Sequence, residues 1–462
     1  MGKYRKEKDL LGEKALPSDS YYGINTLRAK ENFPISPLKN HKELVRAICQ
    51  IKIAAFKLFN DFNVFDKKIC NAVIKAASEV FEGDFDNFIV VDVFQAGAGT
   101  SLHMNINEVI ANRANELLGK PLGSYNPIHP NDTVNYGQST NDVVPTAMRI
   151  ATIRLSEGLT SAMTMLADAF LKKGTAFRGL IKSGRTHLTD ATPITLGDEF
   201  KAYGMTIKKD SATIRNSLKN LYLIGLGGTA TGSGLNAPEV YRKNIVKYLS
   251  RETGIRLKMN RSLFEAMENQ GDFSHYMGAL KTSSLNLIRI CNDLRLLSSG
   301  PMTGLNEIVL PKVQAGSSIM PGKINPSIPE MVTMVCFYVC GTEQTLSLAV
   351  QAGQLELNVM MPIIAHSVLT STEYLTNAIN VFTKRCIKGI TANREVLKEY
   401  ALRSLGLATV LNPVLGYEKV AALVNRARRE NKTVLELIRE QNIIPEAELS
   451  KLIKNKGRSY LR

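Results

Sequence analysis

The strongest constraint on the fold is a series of long apolar-periodic stretches that fill the chain from about Val144 onward. They run over Thr146 to Phe177, Glu199 to Leu223, Pro238 to Glu252, Ser274 to Leu297, Pro329 to Leu348 and Ser367 to Lys388. Apolar residues three and four apart over such lengths predict helices, because strands are shorter and alternate. Clusters of Gly, Ser and Pro separate them at Ser183-Gly184, Gly225 to Gly234 and Gly316 to Pro326. A long-helix bundle at the centre of the chain is therefore expected. Ahead of it, helices near Lys42 to Phe62 and Lys67 to Glu82 stand among loops rich in Gly, Asn and Pro. After about Asn393 the periodic segments shorten. The chain has 462 residues, more than one core usually holds. We expect a mainly α protein of three tightly joined units: a mixed N-terminal part over 1–137, a central helical bundle over 138–392 and a small helical C-terminal part over 393–462. There is no internal repeat and no low-complexity linker.

Composition removes several classes of function. No apolar run reaches membrane-spanning length, and Met1 to Asp9 is charged without the apolar region of a signal peptide. A cytoplasmic protein with no membrane partner is expected. Gly2 invites an N-myristoyl reading, but Lys6 stands where that motif wants Ser or Thr. The formal charge of +16 is spread in small groups, Arg426, Arg428 and Arg429 and then Lys451 to Arg462, without interleaved aromatics. A solvated basic surface that attracts dicarboxylates fits this better than a nucleic-acid partner. Of the six cysteines only Cys336 and Cys340 stand at helical spacing, so neither a disulfide framework nor a metal site is expected.

Four polar loops carry the chemistry. In Gly97 to Glu108, Thr100 and Ser101 offer hydroxyls ahead of a helix expected to start near Asn107. A helix N-terminus with hydroxyls before it can bind a carboxylate or simply be capped. His129-Pro130-Asn131-Asp132 is followed by Gln138 to Asp142, where Ser139, Thr140 and Asn141 precede a long helix and leave the same two readings open. In Gly184 to Pro193, His187 is flanked by Arg185 and Thr186. Near a helix end such a histidine is structural; in a loop it can carry a proton or hold a carboxylate. The fourth loop, Gly316 to Pro326, sets Ser317, Ser318, Lys323 and Asn325 between bending glycines and restraining prolines, and Glu330 just beyond it is a candidate partner for His187.

That fourth loop closely resembles the signature of the aspartase/fumarase superfamily. Tyr21-Tyr22-Gly23, Thr26 to Ala29 and Glu31-Asn32-Phe33 resemble its aspartase branch, as do Ser139-Thr140-Asn141 and Leu235-Asn236-Ala237-Pro238. Gly99-Thr100-Ser101, Gly184 to His187 and Gly304 to Glu307 follow in family order. The resemblance implies reversible anti-elimination of ammonia from L-aspartate to give fumarate, with no metal and no organic cofactor. It implies a homotetramer whose active sites are each shared by three subunits. By motif, it makes Ser317 the general base, with Ser318 beside it among the substrate-binding residues. Lys323 and Asn325 hold the α-carboxylate near Thr186 and His187, Glu330 fixes the tautomer or charge of His187, and Asn141 orients the amino group. Thr100, Ser101, Ser139 and Thr140 cradle the β-carboxylate, where a second negative charge must be stabilised once the proton leaves. A fumarate hydratase and an inactive structural descendant are the other readings. Retention of Ser317, Lys323, Asn325, His187 and Thr100 together argues against the descendant. The sequence departs from the family pattern at His103 (usually Asn), Asn25 (often His), Met302 (commonly Arg), and Thr189 and Asp198 (usually Gln). None removes a catalytic group, and together they leave open a shifted substrate, such as another amino or hydroxy dicarboxylate, or a weakened activity.

Overall fold

The computed structural model describes residues 4–449, so the basic run from Lys451 to Arg462 and the Gly2 reading lie outside the described residues. The fold is mainly helical. A hairpin of β1 (Tyr4–Asp9) and β2 (Gly12–Pro17) leads into α1 (Ile24–Asn32), α2 (Lys42–Asp61), α3 (Lys67–Glu82), α4 (Thr100–Leu117) and α5 (Thr140–Ala176). A second antiparallel hairpin, β3 (Ile181–Thr186) and β4 (Thr189–Thr195), precedes α6 (Leu196–Ser217), α7 (Glu239–Thr253), α8 (Leu263–Glu268) and α9 (Gly271–Leu297). Then come α10 (Ser327–Gln351), α11 (Met361–Arg385) and the shorter α12 (Arg394–Arg403), α13 (Asn412–Leu415), α14 (Tyr417–Glu430) and α15 (Val434–Glu440). Every long periodic stretch is a helix, its ends moved by a few residues. The hairpins were not expected. Their strands are six or seven residues long and rich in charge or in Gly, Thr and Pro, so no alternation separates them from loop.

Two compact units make up the chain. The first takes residues up to 160 with 212–282 and 337–375; the second takes 161–211, 283–336 and the rest from 376 on. In the first, α2 is buried along most of its length, including Ile48, Ile51, Phe56, Leu58 and Phe59. Each such side chain contributes about 1.5–3 kcal/mol when fully buried. Phe56, Phe59, Phe65, Tyr136 and Tyr241 form one aromatic cluster with ring centroids 5.1 to 5.8 Å apart. In the second unit, a separate small core joins α14 and α15 through Val420, Leu423, Leu435 and Ile438.

The aspartase-like stretch from Tyr21 to Phe33 has a structural role. α1 carries no side-chain cap of its own. Instead the buried Glu108 carboxylate of α4 accepts N–H bonds from Gly23 (2.9 Å), Asn25 (2.9 Å) and Thr26 (3.1 Å), and the Thr26 hydroxyl at 2.6 Å. A carboxylate at a helix N-terminus satisfies orphan donors and opposes the helix dipole. Gly23 has no room for more: a Cβ there would run into the Tyr125 hydroxyl and lie 2.8 Å from Glu108. We expect Gly23→Ala to cost roughly 1–3 kcal/mol by overpacking. A thermal melt checks this; an unchanged midpoint would mean that α1 is not held as described.

Candidate active site

In the first unit, α4 starts at Thr100 rather than near Asn107, so Thr100 and Ser101 occupy its first turn instead of a loop before it. The signal for the later start was the run of small residues. In fact Gly97 to Gly99 make one tight turn, with Ala98 at a φ of 61°, and the Gln95 side chain caps the Leu102 N–H at 2.7 Å. A Cβ on Gly99 would lie 3.2 Å from Val144, so the start of α4 rests on the first turns of α5. Just before α5, the Ser139 hydroxyl accepts the Asn141 N–H (3.2 Å) and the Ser139 N–H donates to Asp142 (2.9 Å). Asp142 is fully buried and also accepts the N–H groups of Gly227 (3.0 Å) and Thr229 (3.1 Å); burial pushes its carboxyl up to about 6. The Asn141 amide donates to the Ala230 carbonyl at 2.8 Å, which leaves its own oxygen as an acceptor. A cavity of about 430 Å³ lies here, lined by Ser139, Thr231 and Asn236 among others. Two helix N-termini, with their partial positive charge, thus meet at one place.

Sequence reasoning missed what lies behind them. Lys52, on α2, has no exposed surface, and its ammonium is 2.9 Å from His103 Nε2, 3.0 Å from Asn135 Oδ1 and 3.1 Å from Gln138 Oε1. His103 Nδ1 in turn is 2.9 Å from the Thr140 hydroxyl. Burial lowers Lys52 to about 7, and burial with the adjacent lysine holds His103 well below the usual histidine range. The signal was present: a charged residue inside Ile51-Lys52-Ile53-Ala54-Ala55 stands on a face that is otherwise all core. His129, by contrast, spends Nδ1 on the N–H groups of Asn131 and Asp132, which makes that motif a capped turn.

In the second unit, His187 is not near a helix end. It forms the tip of the β3–β4 hairpin with Leu188, both at positive φ (56° and 57°) and both exposed. A two-residue turn of this hand normally takes Asn-Gly, and each non-glycine residue there costs roughly 1–2 kcal/mol. Such strain persists only where the surrounding structure holds it in place. The base of the hairpin is rigid. Buried Glu307 binds Lys182 and Arg185, each at 2.8 Å, and the Ser183 hydroxyl donates to that of Ser404 at 3.0 Å. Thr186, in register with Thr189, stands next to the tip.

The Ser317 loop is pinched at its neck. The Gly316 N–H donates to the Lys323 carbonyl and the Asn325 amide to the Gly316 carbonyl, both at 2.8 Å. A Cβ on Gly316 would sit 2.6 Å from the Lys323 carbonyl and 2.7 Å from the Asn325 nitrogen. Ser317 Oγ accepts two backbone N–H bonds, from Ile319 at 3.2 Å and Met320 at 3.0 Å, while Ser318 and Lys323 are exposed. A cavity of about 510 Å³ adjoins the loop, lined by Lys323, Asn325, Arg295, Lys312 and Glu330 among others. Glu330 stands 4.0 Å from Arg295 and, within one chain, does not pair with His187. The chain therefore gathers Thr100, Ser101, Ser139, Thr140 and Asn141 about two helix starts. It gathers Ser317, Ser318, Lys323 and Asn325 on one loop, and it presents Thr186 and His187 at a hairpin tip.

A family described as Lyase matches residues 12–341, and one described as Fumarase C C-terminus matches 407–456. The chain belongs to the aspartase/fumarase superfamily of lyases. Within this superfamily it is 44% identical to an aspartate ammonia-lyase of a Bacillus species, over 97% of this chain and 96% of that one. It is equally close, at 44%, to the aspartate ammonia-lyase of Escherichia coli K12, over 96% and 94%. Among solved structures, a fumarate lyase:delta crystallin from Brucella melitensis, bound to cobalt, superposes with a TM-score of 0.94 at 43% identity over 98% of both chains. The class II fumarase of Schistosoma mansoni gives 0.93 at 34% identity, over 97% and 98%.

Proposed function

We propose that this chain catalyses the reversible elimination of ammonia from L-aspartate to give fumarate. The observation that carries the reading is the 44% identity, over nearly the whole chain, to proteins named aspartate ammonia-lyase. In the step, the Ser317 oxygen takes a proton from the carbon beside the β-carboxylate. The freed electron pair enters that carboxylate as an aci-carboxylate and then forms the double bond as the C–N bond breaks and ammonia leaves. Serine is a poor base unless its alkoxide is stabilised. The two N–H groups already aimed at Ser317 Oγ support that, and the ammonium of Lys323 adds to it once water is excluded.

Thr100, Ser101, Ser139 and Thr140 receive the β-carboxylate. Lys323, Asn325, Thr186 and His187 receive the α-carboxylate, and the Asn141 oxygen accepts from the amino group. The Asn325 amide spends one N–H on Gly316 and keeps the other for the substrate, and the loop that carries it must open to admit the dicarboxylate and close to exclude water. Hydrogen exchange over residues 316–325 should slow at saturating dicarboxylate analogue. Equal exchange with and without the analogue would remove the loop closure from this account.

The working form is a cytoplasmic homotetramer with active sites shared between subunits, in which Glu330 meets His187 of another copy. All six cysteines are unpaired, as in a reducing compartment. Along α10, Met334, Phe337 and Leu348 are 58% to 65% exposed on one face, an apolar stripe that a neighbouring helix would cover. Light scattering on the eluting protein should give the mass of four chains, and a monomer with full activity would contradict the shared site.

A further inference from the structure

We propose that Lys52 and His103 are positioning residues for this reaction, which orient the Thr140 hydroxyl so that its proton points to the substrate carboxylate. The inference rests on the reading of Thr140 as part of the β-carboxylate cradle. In its charged form Lys52 has three donors and no acceptor. The three oxygen and nitrogen atoms within 3.1 Å of Lys52 Nζ use all three, and one of them is His103 Nε2. A nitrogen that accepts carries no proton, so the imidazole proton is on Nδ1, where it donates to Thr140 Oγ1 at 2.9 Å. Within a helix, threonine usually returns its hydroxyl proton to the carbonyl four residues back, as Thr146 and Thr152 do here. Thr140 opens α5 and is half-buried, and among the described residues its hydroxyl bonds to His103 alone. Its proton remains available to a ligand.

The chain of bonds also explains a buried cation with no ion-pair partner among the described residues. A charge buried behind an anion site is weakly screened. It acts through the imidazole on the oxygen where the second negative charge of the aci-carboxylate develops. Were Lys52 mere core filling, the direction of the His103 bond would not matter to turnover.

Nitrogen-15 spectra of protein labelled at its six histidines, recorded by magic-angle spinning, test this directly. One neutral ring protonated on Nδ1 should be seen, its signal absent in H103N and altered in K52M. A proton on Nε2, or an imidazolium, would overturn the proposal. In kinetics, H103L should lower kcat for aspartate about 10- to 100-fold, the range for a bond to a charged group. H103N, which can accept at Oδ1 and donate at Nδ2, should recover most of that loss. Adding T140V to H103L should cost no more than T140V alone, because both remove one path. Near-normal turnover in H103L, or losses that multiply in the double variant, would also overturn it. If H103L does not fold, the tautomer in the unaltered protein decides. Absence of aspartate turnover in the unaltered protein, or full activity in T140V, would instead sink the underlying reading of the cradle.

Discussion

Ser317→Ala should lower aspartate turnover by a factor of about 10² to 10⁴ or more, the general scale for an acid–base group, while the melting temperature stays close to that of the unaltered protein. The substitution removes one oxygen from a surface loop. Two N–H groups lose their acceptor, but these belong to exposed residues, and water replaces it. The neck of the loop, made by Gly316, Lys323 and Asn325, is untouched. Steady-state kinetics beside a thermal melt separates chemistry from folding. Should Ser318→Ala abolish turnover and Ser317→Ala not, the base is the second serine.

Thr140→Val should reduce kcat by about 10² to 10³, the cost of removing one donor from a site that stabilises developing negative charge. Valine fills nearly the same space, so α5 keeps its start; what disappears is a hydroxyl that accepts from His103 and donates to ligand. The loss should fall on kcat more than on KM, because the interaction strengthens only as the second negative charge develops. A variant with raised KM and normal kcat would make Thr140 a ground-state contact only.

The bundle helices were legible because periodicity survives burial on any face, and the outer boundaries of α3 coincide with the expected Lys67 to Glu82. The loop from Gly316 to Pro326 was legible for another reason: Ser317, Lys323 and Asn325 stand together in sequence and on one pinched loop. Where partners are remote, the sequence was silent. Nothing near Lys52 indicated that residues 51 and 86 positions further on would meet it. The hairpin around His187 was not legible because a strained two-residue turn of His187 and Leu188 has no glycine to announce it. The start of α4 was set too late because Gly97, Ala98 and Gly99 read as loop, and the Gln95 cap that lets Thr100 begin a helix is a side-chain contact. The Tyr21 to Phe33 pattern was read as a mark of substrate class, and its visible work is to seat α1 on Glu108.

The most direct test of the account follows fumarate by its ultraviolet absorbance when the purified protein is given L-aspartate, malate or argininosuccinate separately, and repeats the reverse reaction from fumarate with ammonia. The account predicts fumarate from aspartate alone, and ammonia incorporation into fumarate with negligible malate. Rapid hydration of fumarate to malate without ammonia incorporation would contradict it and make the chain a fumarate hydratase.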